Sequence, residues 1–241
     1  MSSARLMEPE WLDELDVNDP RAIRSRRDLR RVNAWMLQAR IMAACLQHYP
    51  TGATQPTTII ELGCGDGTFM LQIARRLARR WQETRVILVD RQNLVSAQTR
   101  CDFATLGWTI ETVTADAFAF LEAAQSGAAD IVCANLFLHH FNASELRILL
   151  QESARLTDFF VACEPRRGSL ALAGSHLLWA IGCNDVSRHD AVASVRAGFA
   201  GTEIAAAWPD QEAWKLREEA RGLFTHCFVA RRKSVENRDA L

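Results

Sequence analysis

Long hydrophobic runs are missing from this sequence. The longest apolar stretch, Leu170 to Cys183, is interrupted by Gly174, Ser175 and His176 and falls short of the ~20 residues that span a bilayer. A surplus of one charge sign is missing too: 28 basic residues face 29 acidic ones, for a net charge of −1. Dedicated nucleic-acid binders are usually strongly basic, so that class is disfavoured. Closely paired cysteines are also absent. Cys45, Cys64, Cys101, Cys133, Cys163, Cys183 and Cys227 never show the two-to-four-residue spacing of a zinc knuckle, and no metal is expected. The odd cysteine count and the lack of a leader-like start suggest reduced thiols and a cytoplasmic protein without stable membrane insertion.

What is present is a globular composition, 49% hydrophobic and 24% charged over 241 residues, which excludes disordered and fibrous chains. Residues 8–49 read as helical, with Leu29, Val32, Trp35, Met36 and Ile41 forming one apolar stripe. Arg24, Arg27 and Arg31 lie on another face, either solvated or in contact with an anionic substrate or carrier protein. The loop from Tyr49 through Pro56 then ends the helix. From Thr57 the rhythm changes to short apolar runs (Thr58–Leu62, Arg85–Val89, Ile110–Val113, Ile131–Ala134, Phe159–Cys163) separated by helical patterns. Continuous rather than alternating apolar strands imply a parallel sheet covered on both faces. The expectation is a doubly wound α/β fold in three parts: an N-terminal helical extension (1–55), a main domain (56–233) and a polar, disordered tail (234–241). Such sheets bind ligands at the carboxyl ends of their strands.

The first strand runs into Glu61-Leu62-Gly63-Cys64-Gly65-Asp66-Gly67-Thr68, a glycine-rich turn into a helix that by itself indicates a nucleotide-like cofactor. Thr68 stands where a dinucleotide fingerprint wants its last glycine. Glu61 and Asp66 place carboxylates where a pyrophosphate would lie. Those charges would repel NAD but suit a ligand carrying an ammonium and a sulfonium. Asp90 ends the second run and can accept both hydroxyls of an adenosine ribose. Asp116 follows the third and can accept from an adenine amino group, with Phe118 near the ring. The fourth run leads into Asn135-Leu136-Phe137-Leu138-His139-His140.

With these four elements in order, the chain resembles the class I S-adenosylmethionine-dependent methyltransferases of small-molecule type. The likeness covers about residues 56–165 and extends more loosely through Ala197-Gly198-Phe199, like the turn before that family's sixth strand, to Phe224–Ala230 as a seventh. It implies a mostly parallel, seven-stranded Rossmann-like sheet, with S-adenosyl-L-methionine as cofactor. The cofactor would be held by Glu61, Gly63, Gly65, Gly67, Asp90, Arg91, Asp116, Ala117, Asn135 and Leu136. The Asn/Asp-Pro-Pro-aromatic motif of base and glutamine N-methyltransferases is absent, and Cys163 does not follow the pattern of a cytosine-attacking nucleophile, which argues against a nucleic-acid substrate.

The acceptor is expected to be a small, apolar or aromatic molecule: O-methylation of a phenolic, quinol-like or polyketide-like compound. C- or N-methylation of another metabolite is the alternative. A nicotinamide-dependent oxidoreductase and a non-catalytic cofactor-binding subunit are disfavoured. The apolar segment from Leu170 to Ile181 reads either as an ordinary core helix or as a helical lid after strand five, walling the acceptor. His189, near the start of the next helix, and His139 are the candidate bases for a phenol, each against a purely structural role. His140 is expected to pack or cap. Arg166 and Arg167 are expected to be solvated or to hold an anionic acceptor.

Overall fold

The computed structural model of the protein describes residues 4–49 and 55–233; the expected tail, 234–241, lies outside them. Seven strands form one sheet: β1 (Thr58–Leu62), β2 (Arg85–Asp90), β3 (Thr109–Thr114), β4 (Ile131–Asn135), β5 (Phe159–Pro165), β6 (Trp214–Arg221) and β7 (Thr225–Arg232). Their order is β3-β2-β1-β4-β5-β7-β6. β1 to β5 are mutually parallel, and β7 runs antiparallel between β5 and β6. Central β4 and β5 are buried along their whole length, whereas edge strands β3 and β6 alternate. That is why the central runs read as continuous apolar segments. The chain order reverses between β1 and β4, and the crevice outside their carboxyl ends is where a ligand fits.

The residues preceding the sheet form three helices, α1 (Trp11–Glu14), α2 (Pro20–Trp35) and α3 (Gln38–Leu46). They are not one continuous helix. Asp19 caps α2 with Pro20 at its first position, and Leu37, at φ 57°, breaks α2 from α3. Between the strands lie α4 (Thr68–Leu77), α5 (Ala97–Thr105), α6 (Ala117–Ala123) and α7 (Ala143–Leu156). The expected capping box at Asn142 and Glu145 is formed. After β5 come α8 (Ser169–His176), a 3-10 turn, α9 (Asp185–Ala197) and α10 (Glu203–Ala207). Core residues of α3, α4 and α5 cover one sheet face around Trp81 and Trp108, and those of α6, α7 and α10 cover the other around Trp208 and Trp214.

Three expectations change at this level. Phe199 makes an isolated bridge to Arg166, and β6 begins only after α10. Arg167 is buried, paired through its guanidinium with Glu203 and the Gly198 carbonyl, so it holds neither solvent nor an anionic acceptor. Of the arginines of α2, Arg24 donates to the Gly182 carbonyl, Arg31 to that of Ile181 and Arg30 to Asp66, while Arg27 is exposed.

Candidate functional site

A cleft of about 880 Å³ opens at the carboxyl ends of β1, β2 and β4, inside the roughly 300–1,000 Å³ range of ligand pockets. Nine of the ten residues expected to hold the cofactor line it, namely Glu61, Gly63, Gly65, Asp90, Arg91, Asp116, Ala117, Asn135 and Leu136; Gly67, at the N-cap of α4, does not, though its neighbours Asp66 and Thr68 do. The β1–α4 turn needs its glycines. Gly63 sits at φ +69° with a Cβ that would come within 2.3 Å of the Phe137 ring, whereas at Gly65 (φ +55°) a Cβ would meet no atom within 4 Å because it would point into the cleft. Asp90 orders the turn by accepting from the Gly65 and Gln92 amides at 2.8 and 2.9 Å. Asp66 accepts from the Thr68 amide, and Asp116 caps α6. Leu136, at φ 50°, holds a strained left-handed conformation between β4 and the next turn, as functional loops often do.

The donor set fits a cation-bearing adenosyl ligand. Glu61 is buried with Oε2 unpartnered, and Asn135 Oδ1 is likewise unpartnered. Burial pushes the Glu61 carboxyl well above the usual range, and the nearby charges of Asp90 and Asp66 push it the same way. Carboxyl groups crowded into one corner, with Glu61 Oε2 and Asn135 Oδ1 still without donors, suit an ammonium and a sulfonium, and oppose a pyrophosphate.

The other side of the cleft was not foreseen. No residue between 166 and 192 lines it; its roof comes from the N-terminal segment, including Met7, Glu10, Leu12 and Asp13, and from Leu29 and Arg30 of α2. The segment after β5 is helical, as expected, but it packs on α9, and Leu170, Leu177 and Trp179 are exposed away from the cleft. It therefore does not wall the acceptor site. The N-terminal segment is held down by named contacts. Arg5 donates to the carbonyls of Ala197, His139 and Phe141 and lies over the Phe199 ring. The Asp190 carboxylate accepts from the Trp11 and Leu12 amides at 2.8 and 3.0 Å, satisfying the free donors at the start of α1. His189 stacks on Trp11 at 4.0 Å and bonds Asp190. It does not reach the cleft; it docks α1.

His139 does reach the cleft but is locked. Its Nδ1 faces Glu164 Oε2 at 2.8 Å and its Nε2 faces Glu10 Oε1 at 3.2 Å. The fully buried Glu164 carboxylate also accepts from the amides of Phe137, Leu138 and His139. Burial opposes a charge on His139, but hydrogen bonds to Glu10 and Glu164 outweigh it and lift the imidazole to about 9. Burial opposes the charge on Glu10 too, and the same pair outweighs it, holding that carboxyl at about 2. A histidine that is charged at neutral pH and occupied at both nitrogens cannot serve as a base. Ligating atoms of Glu10, His139 and His140 lie within 4.8 Å of one another. The imidazolium of His139 already supplies that cluster with its cation, so we read it as ion-paired.

The pair fixes a pH dependence. The His139 contribution to stability is complete below 6.5 and is lost as pH rises through about 9; the Glu10 contribution is present above 4.5 and is lost as pH falls through about 2. Thermal unfolding is therefore expected to lose stability between about pH 7 and pH 10, and Glu10→Gln should flatten that limb. Superimposable pH curves for the two proteins would refute the linkage.

Glu10, Asp13 and Glu164 were the residues that sequence reasoning missed. Only Glu164, a lone carboxylate in the apolar run of β5, carried a warning, since such a group needs partners.

The comparisons with known proteins agree with this geometry. The family described as "Methyltransferase domain" matches residues 59–158. That stretch resembles a methyltransferase domain, and the fold built around it is the class I methyltransferase fold. Among solved structures, an O-methyltransferase family protein from Burkholderia thailandensis is 21% identical with a TM-score of 0.61, over 91% of this chain and 62% of its own. A Nostoc punctiforme structure is 14% identical with a TM-score of 0.56, over 81% of this chain and 56% of its own. The chain thus spans less than two thirds of either relative. The plantazolicin methyltransferase BamL, bound to a triazolic desmethylPZN analogue and SAH, is 14% identical with a TM-score of 0.63, over 89% of this chain and 92% of its own. No curated protein matches the sequence. Among the described residues, no helix is long and apolar enough to cross a membrane.

Proposed function

We propose that this protein methylates a small acceptor with S-adenosylmethionine, at the oxygen of a phenolic, quinol-like or polyketide-like compound. One observation carries the reading: the carboxylate-lined corner opens into the same cleft as an aromatic wall. Phe137 and Phe141 stand edge to face at 5.0 Å, and Phe118 and Phe141 at 5.3 Å. A flat apolar ring fits against such a wall, beside the corner that suits the cofactor. The BamL complex with an azole-containing analogue supports a ring-bearing acceptor.

The bound cofactor supplies an electrophilic methyl group on a sulfonium, so the protein's task is alignment and, for a hydroxyl acceptor, proton removal. Glu61 would receive a cationic group, Asp90 the ribose hydroxyls and Asp116 the adenine edge. The N-terminal segment roofs the cleft beside that corner.

Calorimetry is expected to show S-adenosylhomocysteine binding and no NAD(P)H binding. Asp90→Ala should weaken the former by ~1–3 kcal/mol, the loss of charged hydrogen bonds and of the Gly65 amide's partner. Nicotinamide binding without adenosylhomocysteine binding would overturn the reading.

A further inference from the structure

His140 is the imidazole in the cleft that is not locked. It is 27% exposed, lines the same cavity as Phe137 and Phe141, and places Nδ1 at 3.6 Å from Asp13 Oδ2 of α1. Nε2 has no hydrogen-bond partner among the described residues. Asp13 in turn lies 3.9 Å from the Arg91 guanidinium. From this geometry we infer that His140 is the base that takes the acceptor's hydroxyl proton, with Asp13, brought in by the N-terminal segment, as its positioning residue.

The inference rests on the methyl-transfer reading above and deepens it. The acceptor O–H bond breaks, its electron pair stays on oxygen and the proton goes to Nε2 of His140. The O–CH3 bond then forms as the C–S bond of the sulfonium breaks, its pair returning to sulfur. The products are the methyl ether, S-adenosylhomocysteine and an imidazolium, which passes its proton to water. Asp13 faces Nδ1 at ion-pair distance, favouring the tautomer that leaves Nε2 free and stabilising the charge that develops. The 3.6 Å separation suits a contact that tightens when His140 becomes charged.

The charges around His140 set its readiness. Beside it is the charged His139; across from it are Glu10 and Asp13; Glu164 lies behind on β5, and Arg91 and Glu145 border the same cleft. Burial first, then the His139 charge, lower the His140 imidazole below 6.5 despite the carboxylates, so it is neutral and able to accept a proton at pH 7. The neighbours thus have opposite assignments: His139 is held charged and His140 neutral.

The test uses the full chain and 4-nitrophenol as the probe acceptor. Calorimetry with S-adenosylhomocysteine comes first; failure to bind it refutes the methyltransferase reading itself. With the cofactor product bound, 4-nitrophenol should bind with its phenolate absorption persisting to lower pH than in water, and should yield 4-nitroanisole when S-adenosylmethionine is supplied. His140→Ala should abolish the absorption shift and lower kcat ~10²-fold, with adenosylhomocysteine affinity within about twofold. His140→Gln, closer in size, guards against a packing effect and should behave alike. The wild-type kcat should rise through a value below 6.5. Asp13→Asn should move that limb to lower pH, because the carboxylate that raises His140 is gone, and Asp13→Glu should restore it. If adenosylhomocysteine binds but 4-nitrophenol does not, or if both His140 variants keep the absorption shift, kcat and pH limb, the inference falls while methyl transfer stands. An unmoved limb in Asp13→Asn would remove Asp13 from the assignment.

Discussion

Gly65→Arg is expected to abolish S-adenosylhomocysteine binding while leaving the protein folded. The reason lies in the geometry of the β1–α4 turn. A Cβ at Gly65 meets no atom within 4 Å, and the next substituents would project into the cleft that Glu61, Asp90 and Asn135 line. The arginine would fill the volume the ligand needs, and its guanidinium would pair with carboxylates placed for the ligand's own positive groups. The φ of +55° adds a left-handed penalty of roughly 1–2 kcal/mol. That lowers Tm by a few degrees at ~2–4 °C per kcal/mol for a chain of this size. Calorimetry should give no measurable heat of binding, with circular dichroism unchanged. Gly63 is the contrast: there an alanine Cβ would strike the Phe137 ring at 2.3 Å, so its first effect is on folding. Wild-type affinity in Gly65→Arg would place the cofactor elsewhere.

The largest loss of stability is expected from Glu164→Ala. Its carboxylate is fully buried and accepts from the Phe137, Leu138 and His139 amides and from the His139 ring. Removing it strands three backbone donors and leaves the His139 imidazolium with Glu10 as its remaining carboxylate partner. Breaking a buried ion pair on one side costs about 3–5 kcal/mol, which converts to a Tm drop of roughly 6–20 °C. Glu164→Gln keeps an acceptor for the Phe137 and Leu138 amides but turns an NH2 toward His139, so its loss should be intermediate. Calorimetric scans decide the matter; a Tm within about 2 °C of wild type in Glu164→Ala would show that the turn after β4 does not depend on this carboxylate.

The two variants probe parts of the cleft that differ in how they could be foreseen. Glu61, the glycines, Asp90, Asp116 and Asn135 each lie at the end of a short apolar run, and a parallel sheet brings all such ends to one edge. Their convergence follows from local pattern and chain order, and all of them but Gly67 border one cleft. The central strands declared themselves for a related reason: buried on both faces, they cannot alternate. The two breaks in the N-terminal helix were less visible. Pro20 marked one, but Leu37 adopts φ 57°, which nothing in a leucine announces.

By itself, then, the sequence determined the α/β architecture, the positions of its first five strands along the chain and the carboxylates and glycines at their ends, because those depend on periodicity and on residues near each other in the chain. Tertiary structure alone decided what covers the cleft and which histidine is free. Glu10 meets His139 across 129 residues and Trp11 meets Asp190 across 179, separations that leave no trace in local pattern. His139 and His140 are adjacent and chemically identical in the sequence. They diverge because one faces two buried carboxylates and the other faces a half-exposed aspartate and the open cleft, and an imidazole's charge is set by what surrounds it.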